Sequence, residues 1–275
     1  MEIEIKMKLS QEKCPNEIIG VIESNNGQFK KFIEHSKYDK KLIDNRDDFI
    51  DIYPQYKKYK KIVLILESPH VDEFNCARKI KSRPAKGKTG KKIRNLLHKK
   101  LNSILNKNNK KYNYIVYLVN SIPYQCSLGV KTECYRDYIW LKMWSDKSVR
   151  SQLISALIKI EPDIIVNCCT KGKHMKFDVN NGYITFKKGS EEITPKFLED
   201  IGYSISENSN NNNEITVTVD QDIIWKGDKN ELNLNSLVKY SVKQNYKCQY
   251  YELTHPFNWR DDKKASKKKN YLVYR

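Results

Sequence analysis

The segment KIVLILESPHVDEF (residues 61–74) joins an apolar run to a polar corner. The run IVLIL (62–66) has no polar face, as expected for a parallel strand that is buried on both sides of an α/β sheet. It ends at three carboxylates, a serine and a histidine. Because open parallel sheets bind ligands at the carboxyl ends of their strands, we interpret this corner as the wall of a site.

Three more segments have the composition of strands and also end in polar residues: YIVYLVN (114–120), DIIVNC (163–168) and CQYYELTH (248–255). Helical patterns lie between them, in KKIRNLLHKKLNSIL after residue 90, near residues 148–160 and near residues 231–243. Strands that alternate with helices predict an α/β fold, a three-layer α/β/α sandwich with a short parallel central sheet.

Two parts of the chain fall outside this alternation. Residues 1–60 are mostly polar, and we expect an N-terminal helical extension with a helix around Gln28 to Ile43. Residues 61–275 form the α/β domain, in which about 173–230 are interpreted as a β-rich insertion. Within the insertion, MKFDVNNGYITF predicts a hairpin around Asn-Gly, ITVTV predicts a strand and SENSNNNN predicts a mobile loop.

Lysine plus arginine outnumber aspartate plus glutamate by 51 to 33, a formal net charge of +18. Such a surplus favours a polyanionic partner, although a composition bias toward Lys, Asn and Ile gives the same charge without one. No apolar run approaches the roughly 20 residues that span a bilayer, and the N-terminus lacks a signal-peptide core. We therefore expect a soluble, cytoplasmic monomer with no membrane partner.

Four segments, in this order, resemble motifs of the uracil-DNA glycosylase superfamily, most closely those of its family 4. LESPH (66–70) matches Gly-Glu-Ala-Pro-Gly, and RPAKGKTGKKIRNLL (83–97) matches Arg-Pro-Phe-Val-Gly-Arg-Ala-Gly with its leucine-rich helix. YLVN ends in Asn120, as the second strand of the family ends in asparagine, and THPFNW (254–259) contains the His-Pro of the last motif. The resemblance covers about 62–172 and 245–260. It implies a base-flipping enzyme that hydrolyses an N-glycosidic bond in double-stranded DNA.

The resemblance assigns catalytic roles to residues at the strand ends. Glu67 matches the family glutamate and is the first candidate for the carboxylate that stabilises the sugar cation and orients water. Asp72 and Glu73 are alternatives for the water, although solvated loop residues would look the same. Ser68 stands where many members carry aspartate or asparagine, so that position supplies no carboxylate here. His255 is expected to donate a hydrogen bond to the base oxygen as negative charge develops there.

A second set of residues is expected to bind the base, Ser68 among them. Asn120 offers a donor and an acceptor to a pyrimidine edge, unless it is a buried cap of the next turn. Ala85 replaces the phenylalanine that stacks on uracil, which forfeits stacking worth ~1–3 kcal/mol. His70 replaces a family glycine near the pyrimidine C5 position. A wider, more polar pocket predicts a bulky modified base, such as the glucosylated hydroxymethylcytosine of phage DNA, and a role in antiviral defence.

Basic and aromatic residues near two of the motifs are expected to hold the DNA. KGKTG at a helix start offers amides and lysines to a phosphate, and PFNWR offers rings that wedge into the base stack unless they are core residues. The predicted DNA-binding set is Lys86, Lys88, Thr89, Lys91, Thr254, Phe257, Asn258, Trp259 and Arg260. A P-loop fits poorly, because Ser82 stands where its first glycine belongs.

Members of family 4 carry an iron-sulfur cluster on four cysteines. This chain has seven cysteines without a Cys-x-x-Cys pair, and only Cys14 lies near the expected N-terminal position. Cys126 and Cys134 are too close together for the family spacing, so we predict no cluster, no metal and no cofactor. No lysine occupies a motif position typical of Schiff-base chemistry, which favours a monofunctional glycosylase. An ordinary uracil-DNA repair glycosylase and a non-catalytic module that binds modified DNA are the alternatives.

Overall fold

The structure is a computed structural model that describes residues 12–34, 43–74, 84, 87–126, 132–172, 176–180, 183–187, 198–199 and 202–260. Its strands are β1 (Glu17–Asn25), β2 (Gln28–Glu34), β3 (Lys60–Leu66), β4 (Tyr114–Asn120), β5 (Ile164–Asn167), β6 (Lys176–Asn180), β7 (Tyr183–Lys187), β8 (Ser204–Asn208), β9 (Asn211–Val219), β10 (Asp222–Asp228) and β11 (Gln249–Glu252). Its α-helices are α1 (Arg46–Ile52), α2 (Lys88–Ile104), α3 (Thr132–Ser145), α4 (Lys147–Ile160) and α5 (Leu234–Asn245).

Six strands form the central sheet, in the order β11-β5-β3-β4-β1-β2. Strands β11, β5, β3 and β4 run parallel to one another, whereas β1 pairs antiparallel with both β4 and β2. The prediction of an α/β fold around a mostly parallel sheet is therefore confirmed, and all four predicted strands are present in it. Strands β8, β9 and β10 form a separate antiparallel sheet, and β6 pairs with β7 as the predicted hairpin.

Helices cover both faces of the central sheet. On one face, Ile62, Leu64 and Leu66 of β3 pack with the apolar side of α2. On the other face, Val63 and Ile65 pack in a cluster that includes α3, α4 and α5. Both sets of side chains in β3 are buried, which explains why its sequence is continuously apolar rather than alternating.

The predicted helices follow from local signals at their ends as well as from their apolar faces. Helix α4 begins where the Asp146 side chain accepts a hydrogen bond from the Ser148 N–H. It ends at Glu161, whose left-handed backbone (φ 51°) precedes Pro162. Helix α5 begins with a capping box between Asn233 and Ser236.

The helix predicted around Gln28 to Ile43 is wrong over Gln28–Glu34, which forms strand β2. Strands β1 and β2 are a hairpin that extends the central sheet, so this part of residues 1–60 is not a helical extension, whereas α1 (Arg46–Ile52) is helical. Asn26 (φ 52°) and Gly27 (φ 71°) supply the two left-handed residues that a two-residue hairpin turn requires. Buried Phe29 and Phe32 have a spacing that also fits a helix face, which is the source of the error.

The insertion contains antiparallel strands, as predicted, and it packs against the α/β core. Apolar residues of its three-stranded sheet join the cluster that contains α3 and α4: Ile215, Val217, Ile224 and Trp225. The Tyr203 hydroxyl donates to the Leu141 carbonyl at 2.6 Å, and Asp222 pairs with Lys147 and Arg150 of α4.

The segment SENSNNNN is not the loop that its composition predicts. Residues 206–208 end β8 and residues 211–213 begin β9, so most of the segment lies in paired strands. The polar side chains are compatible with this because the end of the hairpin is exposed to solvent. Across the described residues, each helix is too short or too polar to cross a membrane.

Candidate active site

The carboxyl ends of β3 and β5 lie where the chain changes direction across the sheet. From β3 the chain passes to β4 on one side, and later to β5 and β11 on the other side. The connections that leave β3 and β5 therefore diverge, and the place between two such connections is the usual ligand position, or crevice, in open α/β sheets. Glu67 directly follows β3 at this crevice.

The side chain of Glu67 is buried, with 4 % of its surface exposed, and three other elements converge on it. Its Oε1 lies 3.2 Å from Nη1 of Arg136 in α3 and 3.5 Å from Nε2 of His255, which follows β11. Its Oε2 accepts the backbone N–H of Thr170, in the loop after β5, at 3.4 Å. The arrangement thus joins the ends of three strands through one carboxylate.

The backbone of Glu67 is held as firmly as its side chain. Its carbonyl accepts hydrogen bonds from the Ser121 hydroxyl at 2.7 Å, the Trp140 indole N–H at 2.9 Å and the Ile122 N–H at 3.1 Å. The Trp140 ring stacks on Trp144 at a centroid distance of 4.7 Å. The carboxylate is therefore attached to a rigid part of the core, as a preorganised site requires.

Arg136 is clamped by its neighbour in α3. Its Nε and Nη2 both donate to Oδ1 of Asp137, at 2.9 and 2.8 Å, which leaves Nη1 for Glu67. Burial alone lowers the pKa of the guanidinium, but the carboxylates of Asp137 and Glu67 outweigh burial and raise that pKa above its usual value. These three groups carry two negative charges and one positive charge, a balance that favours a cationic reaction centre.

His255 begins a short 3₁₀ turn, Pro256–Asn258, and its ring is half-buried. Nδ1 accepts the Phe257 N–H at 3.3 Å, so the proton of the neutral ring is on Nε2, facing Glu67. Burial lowers the pKa of His255; nearby Glu67 opposes that change, and the charge of Arg136 adds to it. The ring is thus a neutral donor directed at the crevice.

Asn120 ends β4 and pairs in the ladder with Leu66, the residue before Glu67. Its side chain is 5 % exposed, and neither the amide nitrogen nor the amide oxygen has a hydrogen-bond partner among the described residues. Buried amides are almost always paired, because an unmet donor or acceptor costs about 1–3 kcal/mol. An amide left open on both atoms is therefore available to a ligand with a complementary edge.

A network of asparagines orders the loop that presents the Thr170 N–H. Asn167 donates to the Tyr250 hydroxyl at 2.7 Å and accepts the Cys169 N–H at 2.9 Å. Asn235 in α5 donates to the Cys169 carbonyl at 3.2 Å. Gly172 completes the loop at φ +84°, directly against Asp137.

The side chains of three other predicted site residues near β3 are described: Glu73, Ser68 and His70. Glu73 is buried, and its Oε2 accepts a hydrogen bond from the Cys14 thiol at 4.0 Å. It is therefore not a solvated loop residue, which was the alternative interpretation from the sequence. Ser68 is half-buried beside the Cys126 thiol, and His70 is half-buried at the start of the following turn. The side chain of Asp72 lies outside the described residues, as do Ala85 and Lys86 completely.

The predicted DNA-binding residues lie at the start of α2 and in the turn after β11. Helix α2 contacts that turn, and Lys92 Nζ donates to the Trp259 carbonyl at 2.5 Å. The side chains that are exposed or half-exposed are those of Lys88, Thr89, Lys91, Thr254, Phe257, Asn258 and Arg260.

Trp259 is the exception in this set. Its ring is 1 % exposed and packs in the cluster beneath α2, with the indole N–H donating to the Thr254 carbonyl at 2.7 Å. Of the two alternatives for this ring, a wedge into the base stack and a core residue, its burial supports the core residue, which fixes the turn. Phe257 is 54 % exposed, so the prediction that its ring wedges into the base stack still applies to this residue.

Sequence reasoning missed Arg136, Asp137 and Trp140. They lie in α3, whose apolar residues are spread around the helix rather than along one face, so no helical period predicts it. Thr170, in the loop after β5, was not singled out either. The one local signal is an Arg-Asp pair inside the bulky run YRDYIWLKMW, since charges within apolar helices are usually paired.

The described residues contain no group of three or more His, Cys, Asp or Glu side chains that could hold a metal ion. Cys14, Cys126, Cys168 and Cys169 are buried free thiols in that part of the chain. No three of these thiols come together, whereas a cluster of this kind needs four ligands. Cys76 and the side chain of Cys134 lie outside the described residues. The absence of a cluster stays a prediction.

No protein-family model, curated protein or solved structure matches this chain.

Proposed function

We propose that this protein is a monofunctional DNA glycosylase that flips out a modified pyrimidine, hydrolyses its N-glycosidic bond and leaves an abasic site. The observation that carries the proposal is the buried amide of Asn120, one ladder position from Glu67, both of whose polar atoms lack a hydrogen-bond partner among the described residues. A pyrimidine edge offers the donor and acceptor that this amide lacks. The resemblance to the uracil-DNA glycosylase superfamily assigns base reading to the same asparagine.

The chemistry needs groups of the kind that surround Glu67. As the bond from C1′ to the base nitrogen breaks, the sugar becomes cationic and the departing base becomes anionic. The Glu67 carboxylate stabilises the cation and orients the water whose oxygen bonds to C1′. The proton that this water loses neutralises the departing base anion. Nε2 of His255 lies 3.5 Å from Glu67 Oε1. Its Nε2–H would turn from that carboxylate to the base oxygen as charge develops there, which a neutral ring can do.

DNA binding is supported by the position of the basic and aromatic residues. Lys88 and Lys91 in the first turns of α2 would contact phosphates, and Phe257 would fill the gap left by the flipped nucleotide. Helix α2 and the turn after β11 are in contact, so both would approach one segment of DNA.

The identity of the base rests on the sequence. Ala85 in place of a stacking ring and His70 in place of glycine favour a bulky modified cytosine, such as glucosylated hydroxymethylcytosine in phage DNA. A protein that removes such a base would act in antiviral defence.

A second candidate is a non-catalytic reader of modified DNA. It is favoured by the contacts of Glu67, because Arg136 and His255 already approach Oε1 and Thr170 already donates to Oε2. Ser68 supplies no second carboxylate at the neighbouring position. Such a protein would flip and hold the base without hydrolysis.

Abasic-site formation separates these candidates. The protein is incubated with matched unmodified, uracil-containing and glucosylated hydroxymethylcytosine DNA, with Glu67→Gln as the control variant. Abasic sites only in the third DNA, lost in the variant, support the proposal. Sites in uracil DNA indicate an ordinary repair glycosylase. Tight binding without sites, equal in both proteins, indicates a reader.

A further inference from the structure

Arg136 in α3 and His255, which follows β11, contact the same oxygen of Glu67. Nη1 of Arg136 lies 3.2 Å from Oε1, and Nε2 of His255 lies 3.5 Å from it. The guanidinium and the imidazole are therefore less than about 7 Å apart, the sum of these two distances, at which two positive charges repel appreciably in a buried site.

The guanidinium has little freedom to move away from this position. Two of its nitrogens are bound to Oδ1 of Asp137, and Asp137 is 1 % exposed. The loop after β5 encloses Asp137, since a Cβ on Gly172 would come within 2.9 Å of its Oδ2. The positive charge of Arg136 is consequently fixed in place, with its Nη1 directed at Glu67.

The neutral form of His255 depends on a hydrogen bond that protonation would destroy. Nδ1 accepts the Phe257 N–H, and an Nδ1 that carries a proton can no longer accept. In the part of the chain that the structure describes, the charged groups that act on the ring are Glu67 from the end of β3 and Arg136 from α3, while Lys92 of α2 reaches the Trp259 carbonyl of the same turn. Only Glu67 among them favours a protonated ring.

We infer that Arg136, clamped by Asp137, is a positioning residue that fixes the Glu67 carboxylate and keeps His255 neutral with its Nε2–H toward the site. Its catalytic consequence rests on the proposed function, whereas its effect on His255 does not. Arg136 touches neither sugar nor base in this account; it acts through the two groups that do.

The test is a proton NMR titration of His255 in the full chain, assigned with His255→Gln among the five histidines. In Arg136→Gln the midpoint should rise by about one pH unit, because a nearby positive charge is removed and Glu67 loses its counter-charge. Arg136→Lys keeps the charge and should leave the midpoint close to that of the unmodified protein. Lys147→Gln, which breaks an ion pair with Asp222 outside the site, is the matched control and should shift nothing.

Kinetics supply the second measurement. If the protein excises a base, the acid limb of its kcat profile should move upward with the His255 midpoint in Arg136→Gln. Arg136→Lys should lower kcat at least tenfold with KM little changed, because lysine cannot hold the forked geometry.

An unchanged His255 midpoint in Arg136→Gln would overturn the inference, whether or not any DNA is cleaved. If that variant does not fold, full kcat in Arg136→Lys would overturn it instead. Failure of the unmodified protein to form abasic sites would refute the proposed function and leave the titration as an independent test.

Discussion

Replacing Gly172 with alanine perturbs the site through one calculable contact. Gly172 has φ +84°, and an added Cβ would lie 2.9 Å from Asp137 Oδ2 and 3.0 Å from Leu234 Cδ1. The left-handed backbone costs an L-residue about 1–2 kcal/mol, and overpacking against a filled core costs about 1–3 kcal/mol more. The expected loss in the free energy of unfolding is therefore about 2–5 kcal/mol.

Gly27 offers a matched control for the backbone part of that cost. It has a similar φ of +71° in the β1–β2 turn, but an added Cβ there would meet nothing within 4 Å. Gly27→Ala should lose only about 1–2 kcal/mol. Urea unfolding of both variants measures the difference, which reports the crowding of Asp137 and Leu234.

The functional consequence follows from the contacts of Asp137. A displaced Asp137 no longer clamps Arg136, so Gly172→Ala should also lower the excision rate, while Gly27→Ala should leave it unchanged. Equal stability losses in the two variants would refute the crowding at Gly172. A fully active Gly172→Ala variant would refute the link from Asp137 to the site.

Other predictions concern the base-binding and DNA-binding residues. Asn120→Leu removes a buried amide that has no hydrogen-bond partner within the described ranges, so urea unfolding should show equal or about 1 kcal/mol higher stability while excision is lost. Trp259→Ala should cost about 3–5 kcal/mol in the same assay, whereas Phe257→Ala should change stability by less than about 0.5 kcal/mol and weaken DNA binding. Exchanging both Lys88 and Lys91 for glutamine should reduce the slope of log K against log salt by about 2, measured by fluorescence anisotropy.

Each of these has an outcome that contradicts it. A destabilised Asn120→Leu variant would mean that the amide is paired in the folded protein. Stable Trp259→Ala would place that ring outside the core. An unchanged salt slope would remove the start of α2 from the DNA interface.

The parallel part of the sheet was predictable because burial on both faces leaves a continuous apolar run. Residues 62–66 and 114–120 show it, and the structure gives strands Lys60–Leu66 and Tyr114–Asn120. The position of Glu67 at a strand end follows from the same pattern, since the polar corner begins where burial stops.

The antiparallel edge was not predicted, although its signal was present. Asn26-Gly27 is a strong hairpin dipeptide, but the half-buried strand after it has Phe29 and Phe32 at a spacing shared by helices. Pattern alone does not separate the two cases when a strand is short and lies at the edge of a sheet.

Some of the side chains that contact Glu67 could be predicted from the sequence, and others could not. His255 was found through its motif, whereas Arg136 comes from a helix without an apolar face and is 69 positions away in the chain. Contacts of this range are determined by packing rather than by local sequence. The burial of Trp259 illustrates the same limit, because its motif position is compatible with a core ring and with an exposed wedge.

Glu67 and Asn120 are proposed to belong to one base-excision site, and the decisive assay is abasic-site formation. We expect abasic sites in DNA that carries glucosylated hydroxymethylcytosine, with excision abolished in Glu67→Gln and Asn120→Leu and with both variants folded. No abasic sites in any of the three DNAs, or undiminished excision by folded Glu67→Gln, would contradict it.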